Sequence, residues 1–75
     1  MKTVDIKLSS IEDVRNFVNI VTKYDMDIDL TSGRYVVDAK SIMGIFSLDL
    51  LKPIQLTAHS EDADKLLEDI KPYII

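Results

Sequence analysis

Few residues in this 75-residue chain have side chains suited to chemistry: one imidazole, His59, several serines at the starts of periodic segments, and aspartates two apart. Asp27 and Asp29 alternate with apolar residues, so they share a solvated strand face and do not converge as a general acid and base. His59 falls on the solvent side of the last alternating run, and one histidine among scattered aspartates is not a metal-ligand set. No glycine-rich phosphate loop and no Ser/His/Asp arrangement is present. Ser41 stands at a helix N-cap position, its oxygen able to accept a backbone N–H one turn on. Ile45 and Leu48, three apart, face a core, which leaves Ile42, Met43 and Phe46 as an apolar cluster at the surface. Exposed clusters of this kind serve as contact surfaces for partner proteins. Gly44 within that turn costs up to about 1 kcal/mol against alanine, which points to a close approach or a short, frayed helix.

The elements that must position these residues follow from periodicity. Thr3 to Leu8 alternates as a half-buried strand, with Val4, Ile6 and Leu8 on one face. Ser9 and Ser10 are N-cap candidates, each with an acid three residues on; the Ser9–Glu12 pair has the capping-box spacing. Ile11, Val14, Phe17, Val18 and Val21 form the buried stripe of a helix running to about Lys23, with Ile20 outside it. Asp25 to Leu30 reads as a second strand, Thr31-Ser32-Gly33 as a turn, and Arg34 to Ala39 as the returning strand. Tyr35, Val37 and Ala39 face inward on that strand. Arg34 and Lys40 are expected beside the aspartates, easing their repulsion. After the Ser41 helix, Ile54, Leu56 and Ala58 mark a fourth strand. Ser60 is expected to cap a last helix whose stripe is Ala63, Leu66, Leu67 and Ile70, ended or bent by Pro72. The order β-α-β-β-α-β-α places helices on one face of a four-stranded antiparallel sheet, an α+β fold.

Lys40-Ser41-Ile42-Met43-Gly44, two apolar residues, then Ser47-Leu48 resembles the regulatory-serine segment of HPr, the small phosphocarrier of the bacterial sugar phosphotransferase system. The resemblance runs back without a gap through Lys23-Tyr24-Asp25-Met26-Asp27-Ile28 and forward to about Ser60. It implies the open-faced β-sandwich of that family. In the family a histidine at the end of the first strand carries the phosphoryl group, followed by an arginine and a proline that open the first helix. Counting back without gaps, those three positions hold Ser10, Glu12 and Asp13. Carboxylates there repel an incoming phosphate by roughly 1 kcal/mol each at 4 Å in water, and several-fold more when partly desolvated. A phosphoserine at Ser10 would be a poor donor.

The resemblance therefore implies a non-enzymatic regulatory or adaptor protein that works without a cofactor. It would act by contact around Ser41, Ile42, Met43 and Phe46 and be open to phosphorylation at Ser41 by a serine kinase. Phosphotransferase-system enzymes and a transcriptional regulator are the other partners it implies. A retained phosphocarrier, or a diverged structural domain of unrelated role, are the alternatives. Family members with exchanged first strands leave the oligomeric state open.

Composition bounds these readings. Residues 1–75 are expected to form a single domain, 47% hydrophobic and 29% charged, which is globular. A formal charge of -4 argues against nucleic acid and anionic membrane as partners. No cysteine is present, which fits a reducing cytoplasm, and no apolar run reaches a membrane span.

Overall fold

The structure, a computed structural model, describes residues 1–75. Its elements are β1 (Lys2–Ile6), α1 (Ile11–Val21), β2 (Ile28–Ser32), β3 (Tyr35–Asp38), α2 (Ile42–Phe46), β4 (Ile54–Ala58), α3 (Asp64–Asp69) and a 3-10 turn, Lys71–Tyr73. The strands lie in the order β1-β4-β2-β3, and every neighbouring pair is antiparallel. Alternation gives the sheet two unlike faces. Ile6, Ile28, Leu30, Ile54, Leu56 and Ala58 are buried beneath the helices, while Asp5, Gln55, Thr57, Asp29 and Val36 occupy the open face. All sixteen buried residues are apolar, so whatever chemistry the protein performs is done at its surface.

α1 buries Val14, Phe17 and Val21, the i, i+3, i+7 stripe read from the sequence. Ile11 departs from that stripe: at the first helical position it is 66% exposed. Ile20, expected outside the stripe, is half-buried against the core because it lies three residues from Phe17 on the same flank. The cap is Ser10, not Ser9. Its Oγ accepts the Asp13 N–H at 3.1 Å, and Asp13 Oδ2 accepts the Ser9 N–H at 3.0 Å. The forward half of a capping box thus uses the second serine–acid pair, while the Asp13 carboxylate reaches back one residue further, to Ser9.

The hairpin is displaced from its sequence reading. β2 starts at Ile28 and runs through Thr31 and Ser32, and the turn is the two-residue Gly33-Arg34. Gly33 takes φ 61° while Arg34 keeps negative φ, the type II′ pattern that demands glycine at the first loop position. Tyr35, expected inward, is exposed beside the turn. The expected relief of the aspartates is absent as well. Arg34 sits in the turn, at the far end of β3 from Asp38, and Lys40 Nζ donates to the Tyr24 carbonyl instead.

α3 begins at Asp64 after Ala63, so Ser60 does not cap it; the Ser60 hydroxyl accepts the Asp62 N–H in a local turn. Pro72 is the middle residue of the 3-10 turn that follows Ile70. Beyond it the chain lies along the outer edge of β1: Ile74 bridges Ile6, Lys7 N–H donates to Tyr73 O, and Ile75 N–H donates to Asp5 O. The β1 edge is thereby covered, and β3 is the open edge of the sheet.

The Tyr24 hydroxyl ties the end of α1 to α3 by donating to the Asp69 carboxylate. That hydrogen bond, then burial, then the carboxylate charge push the Tyr24 phenol above the usual tyrosine range. A folded-state pKa raised in this way contributes stability at neutral pH that is lost as pH rises through the folded value. An alkaline absorbance titration is expected to show one of the three tyrosines ionising late, and Tyr24→Phe to abolish that late step.

Candidate functional site

Two helix starts carry the sequence-derived candidates. At the first, Ser10 holds extended backbone (φ -148°, ψ 166°) and caps α1, with Glu12 and Asp13 in the first turn. Any anion approaching the free first-turn amides meets both carboxylates. At the second, Ser41 caps α2, its Oγ accepting the Gly44 N–H at 3.1 Å, and the first turn of α2 holds no acidic residue. Gly44 is there for closeness: a Cβ on it would lie 3.2 Å from both Ser41 Oγ and Val37 Cβ, so α2 lies directly on β3.

The apolar cluster beside Ser41 is partly as read. Met43 is 77% and Phe46 41% exposed, whereas Ile42 is half-buried against the core. Two further apolar residues are exposed that the sequence reading did not place at the surface: Ile11 at the start of α1 and Leu51, 87% exposed, in the loop before β4. Lys7 Nζ donates to the carbonyls of Leu50 and Leu51, which fastens that loop to the segment joining β1 and α1. Leu51 is consequently brought to the end of the sheet where Ser10 lies. Only the run Asp49-Leu50-Leu51, two apolar residues in a connection, hinted at this in the sequence.

His59 is elsewhere. β1 and β4 pair with Ile6 opposite Ile54 and Lys2 opposite Ala58. Ser10 follows Ile6, and His59 follows Ala58, so they sit beyond opposite ends of the same ladder. From Ile54 to His59 the strand rises about 16 Å at roughly 3.3 Å per residue. His59 Nε2 lies 2.7 Å from Asp29 Oδ2, and the His59 backbone N–H donates to the Asp27 carbonyl. Asp27, Ile28, Asp29, Asp38 and His59 line a shallow cavity of about 320 Å³. Its three carboxylates make it hostile to phosphate, and no group of three or more His, Cys, Asp or Glu is arranged to hold a metal ion.

An antiparallel sheet ordered 1-4-2-3 with its helices on one face, and a capped serine starting the short second helix, define a small α+β protein of the open-faced sandwich type. A family profile described as the phosphotransferase-system HPr component phosphorylation site matches residues 13–75. The chain belongs to the HPr family of the phosphotransferase system.

Solved structures agree. HPr-C-His from Thermoanaerobacter tengcongensis is 26% identical, with a TM-score of 0.81 over 96% of this chain and 89% of that one. The phosphocarrier protein HPr of Bacillus anthracis is also 26% identical, with a TM-score of 0.75 over 99% and 96%. Crh, the catabolite repression protein of Bacillus subtilis, is 25% identical, with a TM-score of 0.68 over 93% and 87%; its crystal structure is a swapped, intertwined dimer. The profile match opens at Asp13, within the first turn of α1, so Ser9 to Glu12 lie outside it. No helix is long and apolar enough to cross a membrane.

Proposed function

We propose that this chain is an HPr-family protein that no longer carries phosphate on histidine. It acts in the cytoplasm as a non-enzymatic regulator, through protein contact around Ser41. The observation that carries this reading is the register of β1 and β4, which sets the single imidazole at the far end of the sheet from Ser10. Glu12 and Asp13 beside Ser10 support it, as does a family match that starts only after that loop.

The contact surface is Met43 and Phe46 with the exposed rim of Ile42; Ile11 and Leu51 are further exposed apolar residues. Ser41 is its control point. Ser41 is a half-buried residue at the start of α2, where a phosphate would add about -1.5 to -2 charges beside the patch without requiring a new fold. A serine kinase, phosphotransferase-system enzymes or a transcriptional regulator are the partners suited to it.

The test uses the kinase that phosphorylates HPr on serine, with ATP. Label is expected on the wild-type chain and none on Ser41→Ala. A Met43→Asp/Phe46→Asp variant with an unchanged circular dichroism spectrum is expected to be labelled at least about tenfold more slowly, as loss of one or two apolar anchors would give. A variant labelled at the wild-type rate would remove the docking role from these residues, and a wild-type chain that takes no label would remove the switch.

A further inference from the structure

The open edge of the sheet carries a self-complementary pattern. The Ala39 N–H donates to the Ile28 carbonyl at 2.9 Å, and Ser32 stands opposite Tyr35 across the two-residue turn. Residues 35, 37 and 39 therefore direct their backbone groups at β2, and residues 36 and 38 direct theirs outward, with no partner strand beyond. The other side of β2 obeys the same parity: the His59 N–H donates to the Asp27 carbonyl, in register with Asp29 opposite Thr57. On the open face of the sheet this edge presents Val36, 61% exposed, and Asp38, and the exposed Arg34 stands in the turn just before the strand.

Within one chain the charges along this edge are unbalanced. Asp38 stands directly opposite Asp29, an unfavourable like-charge pair. Asp38 Oδ1 accepts the Lys40 N–H, and Asp29 is held by His59, but no lysine or arginine forms a salt bridge with Asp38.

We propose that β3 pairs antiparallel with β3 of a second copy of this chain, Val36 opposite Val36, to give a continuous eight-stranded sheet. In that register the two Val36 residues exchange both backbone hydrogen bonds, because these are the groups already facing outward. Arg34 of each copy falls opposite Asp38 of the other, which supplies the missing cation at both ends. The Asp38 carbonyl already accepts the Ser41 N–H at 3.0 Å and has a second lone pair to offer.

Other registers fail. A one-residue slip sets outward groups against groups already used by β2. A two-residue slip one way puts Arg34 against Lys40 of the other copy, and the other way leaves Asp38 beyond the paired strand. Hydrogen-bond parity and charge thus select the same alignment independently. A four-residue edge makes a small interface, so the dimer is of the weak, concentration-dependent class.

The experiment is sedimentation over micromolar to millimolar protein, with amide NMR to locate the contact. The wild-type chain is expected to self-associate, with shifts centred on Val36 and Asp38. Val36→Pro removes the outward N–H without touching the β2 ladder, as an edge strand permits, and is expected to weaken association by about tenfold or more. Arg34→Asp alone and Asp38→Arg alone set like charges against each other and are expected to stay monomeric. Mixed together they restore both ion pairs and dimerise, which also shows that each is folded. A wild-type chain that remains monomeric at millimolar concentration overturns the proposal. So does a dimer that Val36→Pro leaves intact, the behaviour expected of exchange through β1.

Discussion

Phe17→Ala is expected to remove about 3–5 kcal/mol of stability, the range for deleting a large aromatic side chain from a packed interior. The side chain is wholly buried on α1, and its ring meets Tyr73 edge-on, with centroids 6.1 Å apart and planes at 87°. A chain of this length has roughly 4–11 kcal/mol of stability to lose, so the variant should be largely or marginally unfolded at ambient temperature. The cost goes beyond lost transfer energy, because no neighbouring side chain can fill a phenyl-sized void without leaving its rotamer. Tyr73 also holds the segment whose carbonyl accepts the Lys7 N–H along the β1 edge. Loss of its ring partner is therefore expected to raise amide exchange at Lys7 and Ile75 before the rest of the sheet opens. Urea unfolding with an unchanged slope and a much lower midpoint is the expected readout. A loss below about 1 kcal/mol would mean that the α1 stripe is not the centre of the core.

What could be read from the sequence was what is decided locally. Val14, Phe17 and Val21 on α1, and Ile54, Leu56 and Ala58 on β4, announce themselves by period alone. Ser41 and Gly44 were readable for the same reason, since a cap and a close approach involve residues three apart. The errors fall where local signals compete. Thr31, Ser32 and Gly33 all favour turns, and only the pairing of Leu30 with Val37 in the core decides that Gly33 and Arg34 make it. Ser60 followed by Glu61 and Asp62 mimics a helix start, but its hydroxyl is used in a turn two residues long.

Contacts between residues distant in sequence were not legible at all. His59 meets Asp29 thirty positions away, and Ile74 pairs with Ile6 across nearly the whole chain. The free edge of β3 and the unbalanced charge on Asp38 emerge only once those pairings are fixed.

Restoring the motif that the resemblance implies has been lost is expected to create a phosphocarrier. Ser10→His, Glu12→Arg and Asp13→Pro together place an imidazole at the N-cap of α1, where extended backbone turns into helix and the amides of residues 11 and 12 have no intrahelical partner. The proline is tolerated because a first-turn N–H has no intrahelical partner; the present Asp13 N–H donates to the Ser10 hydroxyl, which the histidine replaces. Loss of the serine cap costs about 1 kcal/mol, which the fold should survive.

The exchange of two carboxylates for one guanidinium is the larger effect. Each carboxylate opposes a phosphate at 4 Å by about 1 kcal/mol in water and about 4 kcal/mol at the surface of a docked complex. Ser10→His alone should therefore be labelled from phosphoenolpyruvate and the phosphotransferase enzyme at least about tenfold more slowly than the triple variant. The wild-type chain should take no acid-labile phosphate, since its one imidazole lies at the opposite end of the sheet against Asp29. Adding His59→Gln to the triple variant should leave the label unchanged, which places it on residue 10. Acid-labile phosphate on the wild-type chain at His59 would contradict the non-carrier reading directly. A folded triple variant that stays unlabelled would show instead that the docking surface of α2, and not only the α1 loop, has diverged from that of a carrier.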